Sequence, residues 1–377
     1  MKKKKILFYS ELIDEGGIEK LMAAWIEQLG EVYSFSNVTN AILSPRYKEL
    51  LESLGSKVYV LNCGLNYFKR AKVLKKILKE EHFDIIHINS HMCMQFWVPM
   101  VAKQCGVRVR IVHSHTSGEF TKWITRTING ICQPIMRHYA TDFWGCSTVA
   151  LNLFGNSTRV RENGVVIKNG IELDKFKFSI ETRNRIRKTL ALETDEIVIG
   201  FVGRLEPQKN VFFLLDVVKK IQQKNSKVKL VAVGDGGLRK ELFKYAEDNG
   251  IWALWTGAKS NANEFYNAFD IMVMTSVLEG LQIVSVEAQT NGLKCFVSEA
   301  TPEEAKFLNS FTRLSLDKGA DYWAAKILDY LAQGMSENFQ EERLNAFSIA
   351  LNSPYDKSES IKFLDSMYKK KLSEINL

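Results

Sequence analysis

Residues 197–237 read IVIGFVGRLEPQKNVFFLLDVVKKIQQKNSKVKLVAVGDGG, and this stretch decides the fold. Residues 197–202 are a short apolar run closed by Gly203, and 211–223 carry apolar side chains at helical spacing. Residues 229–233 form a second apolar run that ends in Gly234-Asp235-Gly236-Gly237. Two strands joined through a helix lie parallel, because a parallel crossover needs a dozen or more residues. The pattern continues with a helix over 238–249, strands at 253–256 and 271–274, a helical turn at 264–268, a helix from 284 to 290 and a strand at 294–297. Residues 321–371 read mostly helical.

The same alternation occupies the first half. Strands are expected at 6–9, 58–61, 85–88 and 109–113, with helices at 18–29, 45–54, 67–80 and 94–105. The polar, charged segment 175–196 separates the two series. The expected architecture is α/β, with two doubly wound parallel sheets in tandem and a cleft between them. The domains are drawn at 1–175 and 176–355, with a C-terminal helix over 356–377 packing back on the first domain. A length of 377 residues suits two domains.

Charge is distributed unevenly. The formal net charge of +8 sits in residues 1–175, which hold 24 Lys and Arg against 16 Asp and Glu; residues 176–377 hold 27 of each. That asymmetry points to an anionic partner for the first half. No apolar stretch approaches the ~20 residues of a membrane span. The opening Met-Lys-Lys-Lys-Lys leads into an apolar run too short for a signal-peptide core. Six scattered cysteines without a Cys-x-x-Cys pair read as free thiols of a reducing cytoplasm.

Two strand-end loops of the second half carry chemistry. Gly203 allows close backbone approach, while Arg204, Lys209 opening a helix, and that helix's N-terminus supply positive potential, an arrangement suited to phosphate. After the strand at 271–274 come Ser276, then Glu279-Gly280-Leu281-Gln282-Ile283, and a helix bearing Glu287. Backbone N–H groups between the two glutamates can face an anion. All six histidines lie in the first half; His113-x-His115 could chelate a metal from a strand, but no carboxylate or cysteine sits at matching spacing.

Residues 201–210, FVGRLEPQKN, resemble the phosphate loop of retaining glycosyltransferases of family 4, and Glu279 through Glu287 resemble that family's Glu-x₇-Glu element. Supporting matches are Glu15-Gly16-Gly17-Ile18-Glu19, Asp84-Ile85-Ile86-His87, His113-Ser114-His115-Thr116, Asn169-Gly170-Ile171-Glu172 and Gly234-Asp235-Gly236-Gly237. The likeness spans about residues 6–300 and is closest to bacterial capsular and exopolysaccharide enzymes. It implies the two-domain GT-B architecture, a nucleotide-sugar donor (a UDP-sugar) and a lipid-linked or oligosaccharide acceptor.

The resemblance also implies roles. Arg204 and Lys209 would neutralise the donor diphosphate. Glu279 would contact the hydroxyls of the transferred sugar, Glu287 those of the ribose. The backbone of Gly280, Leu281, Gln282 and Ile283 would support sugar and phosphate, with Gly203, Gly16 and Gly17 approaching the diphosphate. His115 would lie near the reacting carbon; His113 stays open as the alternative, since strand register is not given by sequence. Gln282 and Lys294 depart from the family's commonest pattern, the first at a position bearing on sugar choice. No Asp-x-Asp occurs, so no metal cofactor is expected. The implied chemistry is front-face transfer, with the departing phosphate oxygen deprotonating the acceptor.

The helix at 67–80 carries six basic residues between Lys69 and Lys79 around an apolar stripe, and Lys122 to Arg126 is a second basic-aromatic segment. The first reads as a solvated helix or as a contact with anionic lipid on the inner leaflet, and the second as a weaker candidate for such a contact. Other readings are a nucleotide-sugar 2-epimerase of the same architecture, a nucleic-acid-binding protein suggested by a pI near 9.0, and a catalytically inactive partner subunit.

Overall fold

In a computed structural model the chain divides into two units, Met1–Gly170 with Ser358–Leu377, and Ile171–Lys357. The structure describes residues 3–14, 16–90, 92–116, 123–334 and 338–374. Glu15, His91 and Lys122, singled out above or counted there, lie outside the described residues.

The first unit contains β1 (Lys4–Ile13), α1 (Gly17–Leu29), β2 (Tyr33–Ile42), α2 (Pro45–Ser53), β3 (Lys57–Val60), α3 (Tyr67–Glu81) and β4 (Ile85–Ser90). It continues through α4 (Trp97–Gln104), β5 (Val109–Ser114), α5 (Trp123–Tyr139), β6 (Asp142–Gly145), α6 (Thr158–Asn163) and β7 (Gly164–Val166). The strands form one parallel sheet in the order β3-β2-β1-β4-β5-β6-β7.

Alternate side chains of each strand serve opposite faces. Leu7, Tyr9, Ile86, Ile88 and Val112 meet α3, α4 and α5 through Leu74, Val98 and Met136. Ile6, Phe8, Ile85 and Ile111 meet α1 through Met22, Trp25 and Ile26. The second face is completed from the far end of the chain. Ile361, Leu364, Met367 and Tyr368 of a C-terminal helix join that core.

The second unit contains α7 (Ile180–Thr189), β8 (Ile197–Val202), α8 (Val211–Lys224), β9 (Val228–Val233), α9 (Arg239–Asp248), β10 (Ala253–Gly257) and α10 (Ala262–Phe265). Then come β11 (Ile271–Met274), α11 (Ile283–Thr290), β12 (Lys294–Ser298), β13 (Phe311–Leu314), α12 (Gly319–Leu331) and α13 (Phe339–Ala350). The C-terminal helix is α14 (Lys357–Ser373). The parallel sheet runs β10-β9-β8-β11-β12-β13. Both sheets are doubly wound: strand order reverses between β1 and β4 in one, and between β8 and β11 in the other. Such switch points leave a crevice at the carboxyl ends of the strands.

The segment 175–196 is more than a separator. Its helix α7 buries Arg183 and Arg187 against Asp270, with Arg183 Nη2 2.5 Å from Oδ1 and Arg187 Nη1 3.3 Å from Oδ2. The amide of Val198 donates to the same carboxylate at 2.7 Å, so the charged group also anchors the start of β8. The stretch expected as one helix at 94–105 is a 3₁₀ turn (Cys93–Phe96) followed by α4.

Candidate functional site

At the β8–β11 switch point the two loops are stitched together before any ligand is considered. Val277 N donates to Gln208 O at 2.9 Å, Gln208 Nε2 to Leu278 O at 2.6 Å, and Thr275 Oγ1 to Asn210 O at 2.9 Å. Lys209 does not open α8 as expected. It ends a 3₁₀ turn, Pro207–Lys209, and Asn210 takes a left-handed conformation (φ 51°) before the α-helix starts at Val211. That turn aims Lys209 at the neighbouring loop, with Nζ 2.6 Å from Glu279 Oε1.

The Lys209 and Glu279 side chains are 16% and 7% exposed, so their attraction is poorly screened. Gln282 Nε2 donates to the same Glu279 oxygen at 3.2 Å and to Ser276 Oγ at 3.3 Å. One carboxylate oxygen thus accepts from a cation and an amide. Gln282 Oε1 is buried without a hydrogen-bond partner among the described residues. Gly280 and Leu281 are buried beside them, and Ile283 begins α11.

Arg204 is exposed on the same β8 loop and makes no side-chain hydrogen bond or ion pair among the described residues. Its backbone is held against the β9 loop. Gly203 N donates to Val233 O at 3.0 Å and Leu205 N to Asp235 O at 2.9 Å. This close approach requires glycine at 234: with φ at 145°, a Cβ there would fall 1.9 Å from the Gly203 carbonyl oxygen. Glu287 is separate from Glu279 in its partner. It accepts a short hydrogen bond from the buried Tyr266 hydroxyl, and burial with the Glu287 charge pushes that phenol well above its usual range.

In the first unit, Gly16 caps α1 directly after the β1 loop and Gly17 is its first residue. The buried Glu19 carboxyl folds back to accept from Asp14 N at 3.2 Å, and burial raises its pKa. His113 and His115 part company. His113 is fully buried within β5, with rings at 5.2 Å from His87 and 6.0 Å from Trp25. His115 lies just past the strand end, half-buried, its Nε2 3.0 Å from Asn89 Oδ1. Of the two, His115 is the one at the carboxyl edge of the sheet.

His87 Nδ1 lies 2.6 Å from the Tyr368 hydroxyl, and His87 Nε2 lies 3.0 Å from His113 Nδ1. Burial pushes both imidazoles well below the usual histidine range, more strongly than their charged neighbours do. The unfolded chain takes up a proton at each near pH ~6.5, while the folded chain does not. Stability is therefore intact above that pH and is lost as pH falls below it. Urea unfolding should show a loss of about 2 kcal/mol between pH 6.5 and 5.5 from the pair. An unchanged midpoint would contradict neutral burial. Among the described residues no group of three or more His, Cys, Asp or Glu is placed to hold a metal ion.

The basic helix α3 loses one of its six charges to the interior. Arg70 is buried, 2.8 Å from Glu11 Oε1, with Nε donating to Gly64 O at 2.6 Å. Lys69, Lys72, Lys75, Lys76 and Lys79 stay exposed. Helix α5, unforeseen as a helix, exposes Trp123, Ile124 and Ile131, at 73%, 53% and 66%. No helix among the described residues is long and apolar enough to cross a membrane.

Sequence reasoning missed Asn89, Tyr266 and the Gln208–Leu278 stitch. Asn89 alone left a trace, as a polar residue ending an apolar strand at a sheet's carboxyl edge.

Residues 182–345 match the family model described as Glycosyl transferases group 1. The chain is similar to the Bacillus subtilis (strain 168) protein EpsF, which bears a provisional glycosyltransferase name, at 28% identity over 88% of each chain. It is similar at 27% identity, over 73% of this chain and 74% of the other, to the Escherichia coli UDP-Gal:alpha-D-GlcNAc-diphosphoundecaprenol alpha-1,3-galactosyltransferase. Its fold is similar to that of Anabaena Alr3699/HepE in complex with UDP and glucose, with a TM-score of 0.79 and 19% identity over 97% of this chain and 99% of that one.

Proposed function

The chain is a glycosyltransferase with a group 1 domain over residues 182–345, and from that premise we propose that it transfers a sugar from a UDP-sugar with retention and without a metal. The acceptor is a lipid-linked or oligosaccharide hydroxyl in cell-surface polysaccharide synthesis, and the reaction is cytoplasmic. The observation that carries this reading is the Lys209–Glu279 pair at the β8–β11 switch point, with Arg204 exposed on the same loop.

An arriving diphosphate competes with Glu279 for Lys209. Once Lys209 and Arg204 turn to phosphate, Glu279 is released to accept from sugar hydroxyls while Gln282 still holds it. The C1–phosphate oxygen bond then breaks as the acceptor oxygen bonds C1 on the same face. The acceptor proton passes to the departing phosphate oxygen. Negative charge grows on that leaving group, so cations placed there act most in the transition state. Glu287, held by Tyr266, binds the ribose hydroxyls. Gly280, Leu281 and Ile283 offer backbone support and Gly203 leaves room for the phosphate; the family likeness assigns Gly16, Gly17 and His115 to the donor as well. Glu279 positions and stabilises; it is not a nucleophile as in retaining hydrolases.

Thermal denaturation with a panel of nucleotide sugars tests the donor assignment. A donor at 100 times its Kd should stabilise by ~2.7 kcal/mol, and no stabilisation by any uridine nucleotide would contradict it. Turnover should continue in excess EDTA; loss on chelation, restored by Mg²⁺ or Mn²⁺, would overturn the metal-free reading.

The surface carrying α3 and α5 supports a further part of this reading, reversible attachment to anionic lipid. Both helices pack on one face of the first sheet. Exposed lysines on α3 and exposed Trp123, Ile124 and Ile131 on α5 supply charge and apolar contact. Each basic residue near such a surface contributes about 1 kcal/mol. The protein should sediment with anionic but not neutral vesicles, and Lys72, Lys75 and Lys76 to Glu changes should weaken this. Equal sedimentation with both lipids, or with neither, would leave α3 a solvated helix.

A further inference from the structure

A buried row on the α1 side of the first sheet has donors and acceptors that fit together in one order only. Met22 on α1 is fully buried, and its thioether sulfur can only accept. Asn89, at the carboxyl end of β4 and 1% exposed, places Nδ2 3.1 Å from Met22 Sδ and 3.4 Å from Ser10 Oγ. The Ser10 hydroxyl itself lies 3.5 Å from the same sulfur. Turning the Asn89 amide over would press Oδ1 against the sulfur, two acceptors in contact with no proton between them. The thioether therefore decides which way the amide faces, and Oδ1 is left pointing along the sheet edge to His115. That oxygen is 3.0 Å from His115 Nε2. An oxygen acceptor at this distance requires the proton to be on Nε2.

We propose that Asn89, oriented by Met22, is a positioning residue that holds His115 as its Nε2–H tautomer. In the neutral ring the lone pair then falls on Nδ1. The partner of one imidazole nitrogen commonly sets the role of the other in this way. Nδ1 is buried, so the fixed tautomer leaves Nε2–H, shared with Asn89, as the ring's hydrogen-bond donor. Its bearing on transfer rests on the reading that His115 serves the donor sugar. Met22 lies on the helix opened by Gly16 and Gly17, so the loop that approaches the donor and the histidine's tautomer share one support.

The test is long-range ¹H–¹⁵N NMR of the full chain labelled with ¹⁵N-histidine and free of donor, with the His115 signals assigned against His115→Gln. The expected spectrum has a pyrrole-type Nε2 and a pyridine-type Nδ1. Asn89→Asp, which still accepts, keeps that tautomer. Asn89→Leu and Met22→Leu each raise the Nδ1–H population at least tenfold; the methionine change conserves volume and keeps the fold if Asn89→Leu does not. A wild-type ring protonated on Nδ1, or a tautomer unmoved in Met22→Leu, overturns the proposal. Transfer kinetics separate the two claims. If the tautomer behaves as stated, kcat of Asn89→Leu should drop about tenfold while Asn89→Asp keeps more of it. Full activity of His115→Gln with the tautomer effects intact would support the positioning claim and overturn the donor-contact reading.

Discussion

Lys209→Ala and Arg204→Ala are each expected to lower sugar transfer by ~10²-fold or more, the scale of one lost donor to a developing anion. The two variants should differ in how they do so. Arg204 is exposed and takes no side-chain partner among the described residues, so its loss removes only what it offers the ligand. Lys209 also neutralises Glu279, whose side chain is 7% exposed. Removing the lysine leaves a buried carboxylate held by Gln282 alone, a buried charge without its counter-ion. Lys209→Ala should therefore lose some stability as well as activity, and adding Glu279→Ala should cost less than the two single losses combined. Initial rates with a UDP-sugar and acceptor decide it. Near-normal turnover in both single variants would contradict the phosphate assignment.

Asp270→Ala is expected to destabilise the second unit by ~3–5 kcal/mol, the cost of breaking a buried pair and leaving its partner uncompensated. Here two guanidinium groups are stranded. Arg183 and Arg187 also donate to main-chain oxygens of Asn267, Phe269, Glu193 and Glu196, which holds them in place once the carboxylate is gone. The variant also leaves the Val198 amide without its acceptor at the start of β8, the strand that leads into the Arg204 loop. Asp270→Asn keeps an acceptor but not the charge, and should fall between. Urea unfolding measures both; a loss below about 1 kcal/mol for the alanine variant would show that the cluster relaxes or admits water.

The parallel sheets were legible because their strands are buried on both faces and read as apolar runs between helical periods. Residues 197–202, 271–274 and 294–297 are of this kind. Strand β2 was not legible for the same physical reason. Its buried positions include Ser36, Asn37, Thr39 and Asn40, which interrupt the apolar run; Asn37 Nδ2 donates to Ser56 Oγ at 2.7 Å and Thr39 Oγ1 to Ala41 O at 3.0 Å. Helix α7 hid because Arg183 and Arg187 look like surface charge until Asp270, more than 80 residues away, is folded against them. At the site, the strand-end loops could be named from spacing and family likeness. What spacing does not contain is partnership: that Lys209 meets Glu279, that Tyr266 meets Glu287, and that a methionine sulfur orients Asn89. His113 and His115 illustrate the limit: two residues apart and on one side of β5, they differ only in that the strand ends between them, which leaves one in the core and the other at the edge.

The most direct measurement follows a UDP-α-sugar by NMR in excess EDTA, with and without an acceptor hydroxyl. The account predicts UDP release that depends on acceptor, a product whose anomeric carbon keeps the α configuration, and loss of both in Arg204→Ala. A β-linked product, or conversion of the donor to its C2 epimer with no acceptor present, would contradict it.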